Sequence, residues 1–254
     1  MGFVRKVSRF GAIITVGTIV GLSLGLTPAV ADGKPLSKTQ IEQIVRNYLL
    51  KNPEILIEMS QILDEKQKSQ TANKFSENLQ SVIFELENGD GGGVMGNPNG
   101  TTIIYEFSDY NCPFCKQMGP LVKKALKENG NVKVILKEFP ILGASSKLAS
   151  TAALAAKMQG KYQQAHFALI AAKGRLSENK IYKLLGAAGV DIDRLKKDMK
   201  SPAIAQAIAK NLQIGQLLGI NGTPAFIASQ KLYPGALSQE QFAQMLKDAE
   251  KKSN

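Results

Sequence analysis

The chain has 254 residues, 44% of them hydrophobic, so it can bury a full core and is not a disordered polypeptide. Its formal net charge is +11, but its lysines are scattered among acidic residues without a basic block interleaved with aromatics. We therefore expect no nucleic-acid partner. Two cysteines and one histidine, His166, are too few side chains for a four-ligand zinc site.

Residues 1–31 have the order of a secretory signal peptide. Basic residues precede a largely apolar run over 10–26, and small residues occupy 29–31. The sequence predicts cleavage after Ala31 and export to the periplasm or another compartment where disulfides persist. An uncleaved membrane anchor is the alternative, but the run is interrupted by glycines and is shorter than the roughly 20 residues that a span needs.

Residues 32–88 predict a helical arm. Ser37 is a candidate N-cap, apolar side chains recur at helical spacing over 36–63, and Pro53 divides this stretch into two helices. Short amphipathic helices are unstable alone, so the apolar face must pack either on the chain's own domain or on a second copy. The polar stretch 64–74 favours the second copy, and we expect a homodimer or homotrimer through residues 36–63.

A second apolar set follows the polar stretch, between Phe75 and Leu86, before the composition changes again. Residues 89–100 are dense in glycine, asparagine and proline, a composition typical of linkers. The sequence therefore predicts a Gly-rich linker here and a domain boundary between the arm and the rest of the chain.

Residues 101–254 predict an α/β domain. The predicted elements are a strand over 101–109, a helix over 113–128, a strand over 131–141, a helical insert over about 144–218, a strand from Pro224 and a closing helix over 238–251. The first three form a β-α-β unit, which is typical of a parallel strand pair with a crossover helix. The segment KLYPGA after the last strand is predicted to be a turn.

The segment NCPFCK contains both cysteines, Cys112 and Cys115. Cys112 follows a strand and precedes a helix, where amide groups and the helix dipole lower a thiol pKa, and Pro113 suits the first helical position. Cys115 lies one turn further on, so the spacing supplies a nucleophile and a resolving thiol. A structural disulfide closing so small a loop would add little stability, and thiol-disulfide exchange is the favoured interpretation over two inert thiols.

The second motif is the tripeptide from Gly222 to Pro224, directly before a predicted strand. A proline here is either an ordinary strand-entry residue or part of a cis Thr223-Pro224 bond. A cis bond would bring backbone groups beside the cysteine pair, where an extended substrate can pair with them.

The segments EFSDYNCPFC and GTPAF, with a helical insertion after KEFPI, are similar to thioredoxin-fold proteins of the DsbA family. This resemblance implies a thioredoxin-like fold with an inserted helical domain. It also implies that Cys112 exchanges with substrates, Cys115 resolves, Pro224 is cis and Thr223 provides backbone contacts. Glu106 matches a buried acidic position that eases proton transfer in that family, although an ordinary polar residue at a strand end is an equal alternative.

The arm segment YLLKNPEILIEMSQIL resembles the N-terminal segment of ScsC-like and related DsbA-like proteins, where it drives dimer or trimer formation. We expect Pro113 and Phe114 to contact substrate beside the cysteines. Strongly oxidising family members have histidine where this chain has Phe114, which cannot donate a hydrogen bond to a thiolate. The pair should therefore be less oxidising, and Thr223 and the arm are both similar to features of disulfide isomerases.

The sequence thus predicts a periplasmic thiol-disulfide interchange protein that forms or isomerises disulfides, without a cofactor or metal. Its expected partners are exported cysteine-containing proteins and a membrane redox protein. Two alternatives belong to other functional classes. One is a copper-sequestering or copper-relay protein, because two thiolates can bind Cu(I). The other is a non-catalytic chaperone that uses the arm and the substrate groove.

Overall fold

The computed structural model of the chain describes residues 35–251, and the predicted signal peptide lies outside these residues. The helices in this range are α1 (Lys38–Lys51), α2 (Glu54–Asn88), α3 (Pro113–Glu128), α4 (Ala144–Lys157), α5 (Tyr162–Ile170), α6 (Glu178–Ala187), α7 (Ile192–Asp198), α8 (Pro202–Leu217) and α9 (Gln239–Lys251). The strands are β1 (Gly92–Gly96), β2 (Thr102–Ser108), β3 (Val132–Glu138), β4 (Ala225–Ala228) and β5 (Lys231–Pro234). None of the helices described combines the length and hydropathy needed to cross a bilayer.

Helix α1 begins and ends where the sequence predicts. Ser37 is its N-cap and forms a capping box with Gln40, in which each side chain accepts a hydrogen bond from the other residue's backbone N–H. The helix ends at Lys51, before the predicted break at Pro53. It contains no buried residue, so its apolar stripe faces solvent within the chain described.

Helix α2 is continuous for 35 residues and joins segments that differ in burial. The chain divides into two compact units, and the boundary falls inside α2, between Glu58 and Met59. Near its end, Leu79 and Leu86 are 1% and 0% exposed and pack against Phe107 of the sheet. The second apolar set of the sequence is therefore core of the α/β domain, because its spacing puts one helix face on the sheet.

The strand order is β1-β3-β2-β4-β5. Strands β2 and β3 are parallel and connected through α3, which confirms the predicted β-α-β unit. Strand β4 pairs antiparallel with β2, so the chain after the helical insert returns to the middle of the sheet. Helices α4 to α8 form the predicted insert between β3 and β4.

The linker predicted over 89–100 is corrected by the structure, because β1 lies within it and pairs antiparallel with β3. Its glycines permit close approach to neighbouring atoms. A Cβ on Gly92 would lie 1.5 Å from the backbone oxygen of Leu136, and one on Gly93 would lie 2.0 Å from the Tyr162 ring. The predicted turn KLYPGA is likewise corrected in part, since β5 occupies its first four residues as the edge strand beside β4.

Candidate active site

The two cysteines lie at the junction between β2 and α3. Cys112 is the N-cap of α3 with extended backbone dihedrals, and Pro113 occupies the first turn, as the sequence predicts. The Cys112 N–H donates to the Asp109 carbonyl at 3.0 Å, which fixes the turn before the helix. Both side chains are free thiols. The start of α3 therefore presents its free amides to the Cys112 sulfur.

The surroundings of Cys112 favour its thiolate. The Cys115 thiol contributes most, because it hydrogen-bonds the Cys112 sulfur and lowers the pKa of Cys112 to about 5 against the opposing effect of burial. The Thr223 side chain and the amides of Cys115 and Phe114 lower it further. The predicted stabilisation by helix amides is thus part of the site, but the neighbouring thiol is the larger cause.

Cys115 has the opposite environment. It is fully buried, and burial raises the pKa of its thiol far above the ordinary value, with the adjacent Cys112 adding to the effect. The Asp109 N–H lies 3.5 Å from its sulfur and donates to it. Cys112 therefore favours the thiolate, whereas Cys115 favours the protonated thiol.

The Thr223-Pro224 peptide bond is cis, which confirms that prediction. The Cys112 sulfur lies 3.1 Å from the Thr223 carbonyl oxygen, so the motif before β4 lies directly against it. Phe114 is 58% exposed and borders a groove that Thr223 also lines. The structure thus brings Thr223 beside Cys112 and Phe114, although Thr223 follows both by more than a hundred residues in the sequence.

Glu106 lies in the middle of β2 between Leu136 and Phe226 on the flanking strands. It is 2% exposed, and burial raises the pKa of its carboxyl to about 7. Glu106 Oε2 and Ser108 Oγ have no hydrogen-bond partner within the described chain. The Ser108 side chain is nevertheless close enough to lower the pKa of both Glu106 and Cys115. Glu106 is therefore a buried acid that has Ser108 as a neighbour in common with Cys115.

A second buried carboxylate, Glu138, was missed in the sequence. It ends β3 beside Ser108 and accepts hydrogen bonds on Oε1 from Tyr110 Oη at 2.8 Å and Tyr162 Oη at 2.7 Å. Burial raises its pKa to about 7. Polar residues at the adjacent ends of two parallel strands were the available signal, because such ends meet at one edge of a sheet.

His166 lies beside this network. Its Nδ1 lies 3.2 Å from Tyr110 Oη, which donates to Glu138 Oε1. Burial lowers the pKa of His166 to about 3, so the ring is neutral.

Asn111 and Asp109 fasten the turn before Cys112 to the helical insert. The Asn111 amide donates to Ser145 Oγ at 2.9 Å and to Ser146 Oγ at 3.1 Å, and its Oδ1 accepts from the Leu176 N–H at 2.8 Å. Asp109 Oδ2 accepts a hydrogen bond from the Leu142 N–H at 3.0 Å. The helical insert therefore holds the turn before Cys112 in place.

Metal binding has a narrow basis in residues 35–251. No group of three or more His, Cys, Asp or Glu side chains is arranged for a metal ion there. The two adjacent cysteine sulfurs are soft ligands that suit Cu(I). The buried imidazole of His166 is engaged with Tyr110 instead.

Two family models match the chain. One, described as a DSBA-like thioredoxin domain, matches residues 103–247, and the other, described as the copper resistance protein ScsC N-terminal domain, matches residues 38–70. The first match covers more than half of the chain and includes Glu106, both cysteines and the cis proline. These matches bear out the predicted thioredoxin-like fold with its inserted helices and its N-terminal helical arm.

Solved structures agree with these matches. A thioredoxin-like oxidoreductase from Silicibacter pomeroyi DSS-3 is 36% identical, with a TM-score of 0.62 over 65% of this chain and 95% of that one. A linker-deletion mutant of Proteus mirabilis ScsC is 27% identical, with a TM-score of 0.64 over 86% of this chain and 99% of that one. The Na(+)/H(+) antiporter NhaA 1 of Salinispora arenicola is 23% identical over 91% of this chain, which spans 36% of that protein.

Proposed function

The chain belongs to the family of DSBA-like thioredoxin domains, whose members are thiol-disulfide oxidoreductases, and from that premise we propose that it forms or isomerises disulfide bonds in exported proteins. The opposite environments of the two thiols carry this proposal. Cys112 is a stabilised thiolate at a groove, and Cys115 is a buried thiol in contact with it. Exchange requires this division between an attacking or attacked sulfur and a resolving one.

As an oxidant, the protein starts with a Cys112–Cys115 disulfide. A substrate thiolate attacks Cys112 Sγ, the S–S bond breaks, and the electron pair leaves on Cys115, which takes up a proton. A second substrate thiolate then attacks the substrate sulfur of the mixed disulfide and releases Cys112 as a thiolate. The substrate loses two electrons and the pair gains them. A membrane redox partner must then reoxidise the pair.

As an isomerase, the protein starts reduced. The Cys112 thiolate attacks a misplaced substrate disulfide and releases one substrate thiolate. That thiolate attacks a different substrate disulfide, and the last thiolate formed displaces Cys112. No net electrons are transferred in this cycle. When a substrate stalls, Cys115 attacks Cys112 Sγ of the mixed disulfide and the substrate leaves as a reduced thiolate; the pair is then a disulfide, which the membrane redox partner must reduce again. Glu106 serves as the nearby acid that exchanges a proton with Cys115.

Substitution of the two cysteines tests this proposal. Cys112→Ser should abolish both insulin reduction and the refolding of scrambled ribonuclease. Cys115→Ser is the matched control, because its Cys112 can still attack and should accumulate mixed disulfides that are visible by mass spectrometry. Activity retained in Cys112→Ser would contradict the proposal.

We further propose that the arm assembles the protein into a homodimer or homotrimer. The apolar side chains on α1 are exposed, and Ile44 and Tyr48 are 55% and 59% exposed. The apolar stripe continues along the first turns of α2, where Leu56 and Ile62 are also exposed. Burial of such a stripe against identical stripes removes apolar surface from water, and an assembly would place several redox pairs around one substrate.

Export is supported by the signal-peptide pattern of the sequence, and the proposed location is the periplasm.

Copper binding is the second candidate function. It is favoured by the two adjacent thiols and by the match of residues 38–70 to the N-terminal domain of a copper resistance protein. Tight stoichiometric Cu(I) binding without turnover of disulfide substrates would establish it in place of exchange.

A further inference from the structure

The groove beside the redox pair continues into a second one. The first, with a volume of about 370 Å³, is bordered by Phe114 and Thr223. The second, with a volume of about 1060 Å³, lies between the middle of α2 and β5. Gly219, Leu232 and Pro234 line both grooves. The two grooves therefore adjoin at these residues, inside the compact unit that begins at Met59, and we call them together the extended groove.

One wall of the extended groove is the edge strand β5, which is last in the strand order. The Gly235 N–H donates to the Pro224 carbonyl at 2.8 Å, so these opposite residues form a hydrogen-bonded pair. Because such pairs alternate along an antiparallel ladder, the backbone groups of Leu232 point away from β4. At Leu232 this wall therefore presents an outward N–H and C=O with which an extended chain can pair.

The opposite wall, on α2, is basic. Lys68 and Lys74 line it, Lys231 lies across from them on β5, and Asp64 is the acidic side chain among the lining residues. The three lysines are exposed, whereas Phe75 on α2 packs partly into the core. Three lysines against one aspartate favour a negatively charged occupant.

We propose that the extended groove holds an extended, acidic segment of the substrate polypeptide while a cysteine of that polypeptide reacts at Cys112. The inference rests on the proposed exchange function and adds the substrate class, namely unfolded chains with acidic residues flanking the reactive cysteine. Backbone pairing at Leu232 provides affinity that is independent of sequence. The lysines of α2 select the charge of the segment.

The α2 wall gives that helix a role separate from assembly. Its lining residues begin at Asp64, after the apolar stripe through which the arm is proposed to associate. A small thiol such as dithiothreitol reaches Cys112 without entering the second groove. Only a long polypeptide occupies the whole extended groove. Changes in the second groove should therefore alter the reaction rates of long thiols and leave those of small thiols unchanged.

The test compares thiols of different length and charge with the oxidised full-length chain. Two peptides of about twenty residues contain one central cysteine, flanked by glutamates in one and lysines in the other, and dithiothreitol is the small probe. The chain has no tryptophan, so reduction of its disulfide is followed by acid quench, thiol alkylation and mass spectrometry. Two peptide thiols reduce one protein disulfide and become a peptide dimer.

Charge reversal on α2 provides the decisive comparison. Lys68→Glu with Lys74→Glu should slow reduction by the acidic peptide about fivefold, speed reduction by the basic peptide and leave the dithiothreitol rate unchanged. Lys66→Glu with Lys127→Glu is the matched control, because these exposed lysines lie outside the groove and carry the same charge change. It should behave like the parent chain with all three thiols.

The outcomes separate the two proposals. If dithiothreitol and both peptides leave the parent disulfide intact, exchange itself is overturned, and the groove with it. If the parent reacts but the two variants respond equally to the acidic peptide, the groove is overturned and exchange stands. An acidic peptide with N-methylated backbone amides should also react more slowly than its parent peptide, since methylation removes the donors that pair with β5.

Discussion

The two ends of α2 have similar apolar patterns and opposite environments. Near its start, Leu56 and Leu63 are exposed, whereas Leu79 and Leu86 further along are buried against the sheet. Both stretches follow helical spacing. An apolar stripe therefore shows that a helix has an apolar face to bury. Only the surroundings of the helix determine whether that face packs on the same chain or on another one.

The largest expected effect concerns the exposed stretch. Val45→Asp with Leu49→Asp on α1 should convert the assembly to monomers, because two charges cannot be buried in an apolar contact without a large desolvation cost. Sedimentation equilibrium measures the mass, and scrambled ribonuclease refolding measures isomerisation. Isomerisation should fall while the dithiothreitol reaction is unchanged.

Gln43→Asp with Asn47→Asp is the control, since it adds the same charge to α1 outside the apolar stripe. An assembly that survives Val45→Asp with Leu49→Asp, or that dissociates equally in both variants, would contradict association through this stripe. Either result would also mean that the exposed apolar stretch does not differ from the buried one in having a second copy as its partner.

The buried stretch should respond through stability. Leu86→Ala should lower the free energy of unfolding by about 2 to 5 kcal/mol, because it leaves a cavity beneath α2. Leu63→Ala should change it by less than about 0.5 kcal/mol. Both are measured by urea denaturation in the Val45→Asp, Leu49→Asp background, where assembly does not contribute. Equal losses would mean that the two ends of α2 are equivalent.

The pH dependence of stability separates the buried domain from the arm. Burial raises the pKa of Glu138 from 4.5 to about 7. The folded state therefore binds the proton more tightly, and the stability that protonation contributes is complete below pH 4.5 and is lost as the pH rises through about 7. Glu138→Gln keeps an oxygen that can accept the hydrogen bonds of Tyr110 and Tyr162. It should reduce the loss of unfolding free energy between pH 4 and pH 8 by about 1 to 3 kcal/mol.

Urea midpoints between pH 4 and pH 8 test that prediction. Glu42→Gln on α1 is the exposed control, because its carboxylate lies on the helix surface, 3.8 Å from Lys38 Nζ. The pH profile of this control should match the parent profile. A Glu138→Gln profile as steep as the parent profile would assign the pH dependence to other groups.

The smallest effect concerns the exposed apolar residue of the redox site. Phe114→His should raise the reduction potential by about 30 mV, a tenfold change in the equilibrium with glutathione, because an imidazole can stabilise the Cys112 thiolate. Phe114→Leu should leave it near the parent value. Equilibration in glutathione buffers measures both, and an unchanged potential in Phe114→His would show that Cys115 and Thr223 already provide the stabilisation.

Several local features were predictable because neighbouring residues specify them. The helix over 113–128 has the predicted bounds, since Pro113 begins it and Asn129 follows its last turn. The cap of α1 likewise needs only Ser37 and Gln40. Strand β1 was missed because glycine is a poor strand former. Its glycines are explained by close neighbours, Leu136 and Tyr162, that are distant in sequence.

The sequence alone was enough to predict a thiol pair suited to exchange, because the spacing of Cys112 and Cys115 at a helix start lies within one turn of the chain. Tertiary structure decided how that chemistry is tuned. The contact between Thr223 and Cys112 and the groove between β5 and α2 join segments far apart in sequence. Folding also buries the acids Glu106 and Glu138. Burial and electrostatic effects depend on distance in space, so only folding could bring them to the cysteine pair.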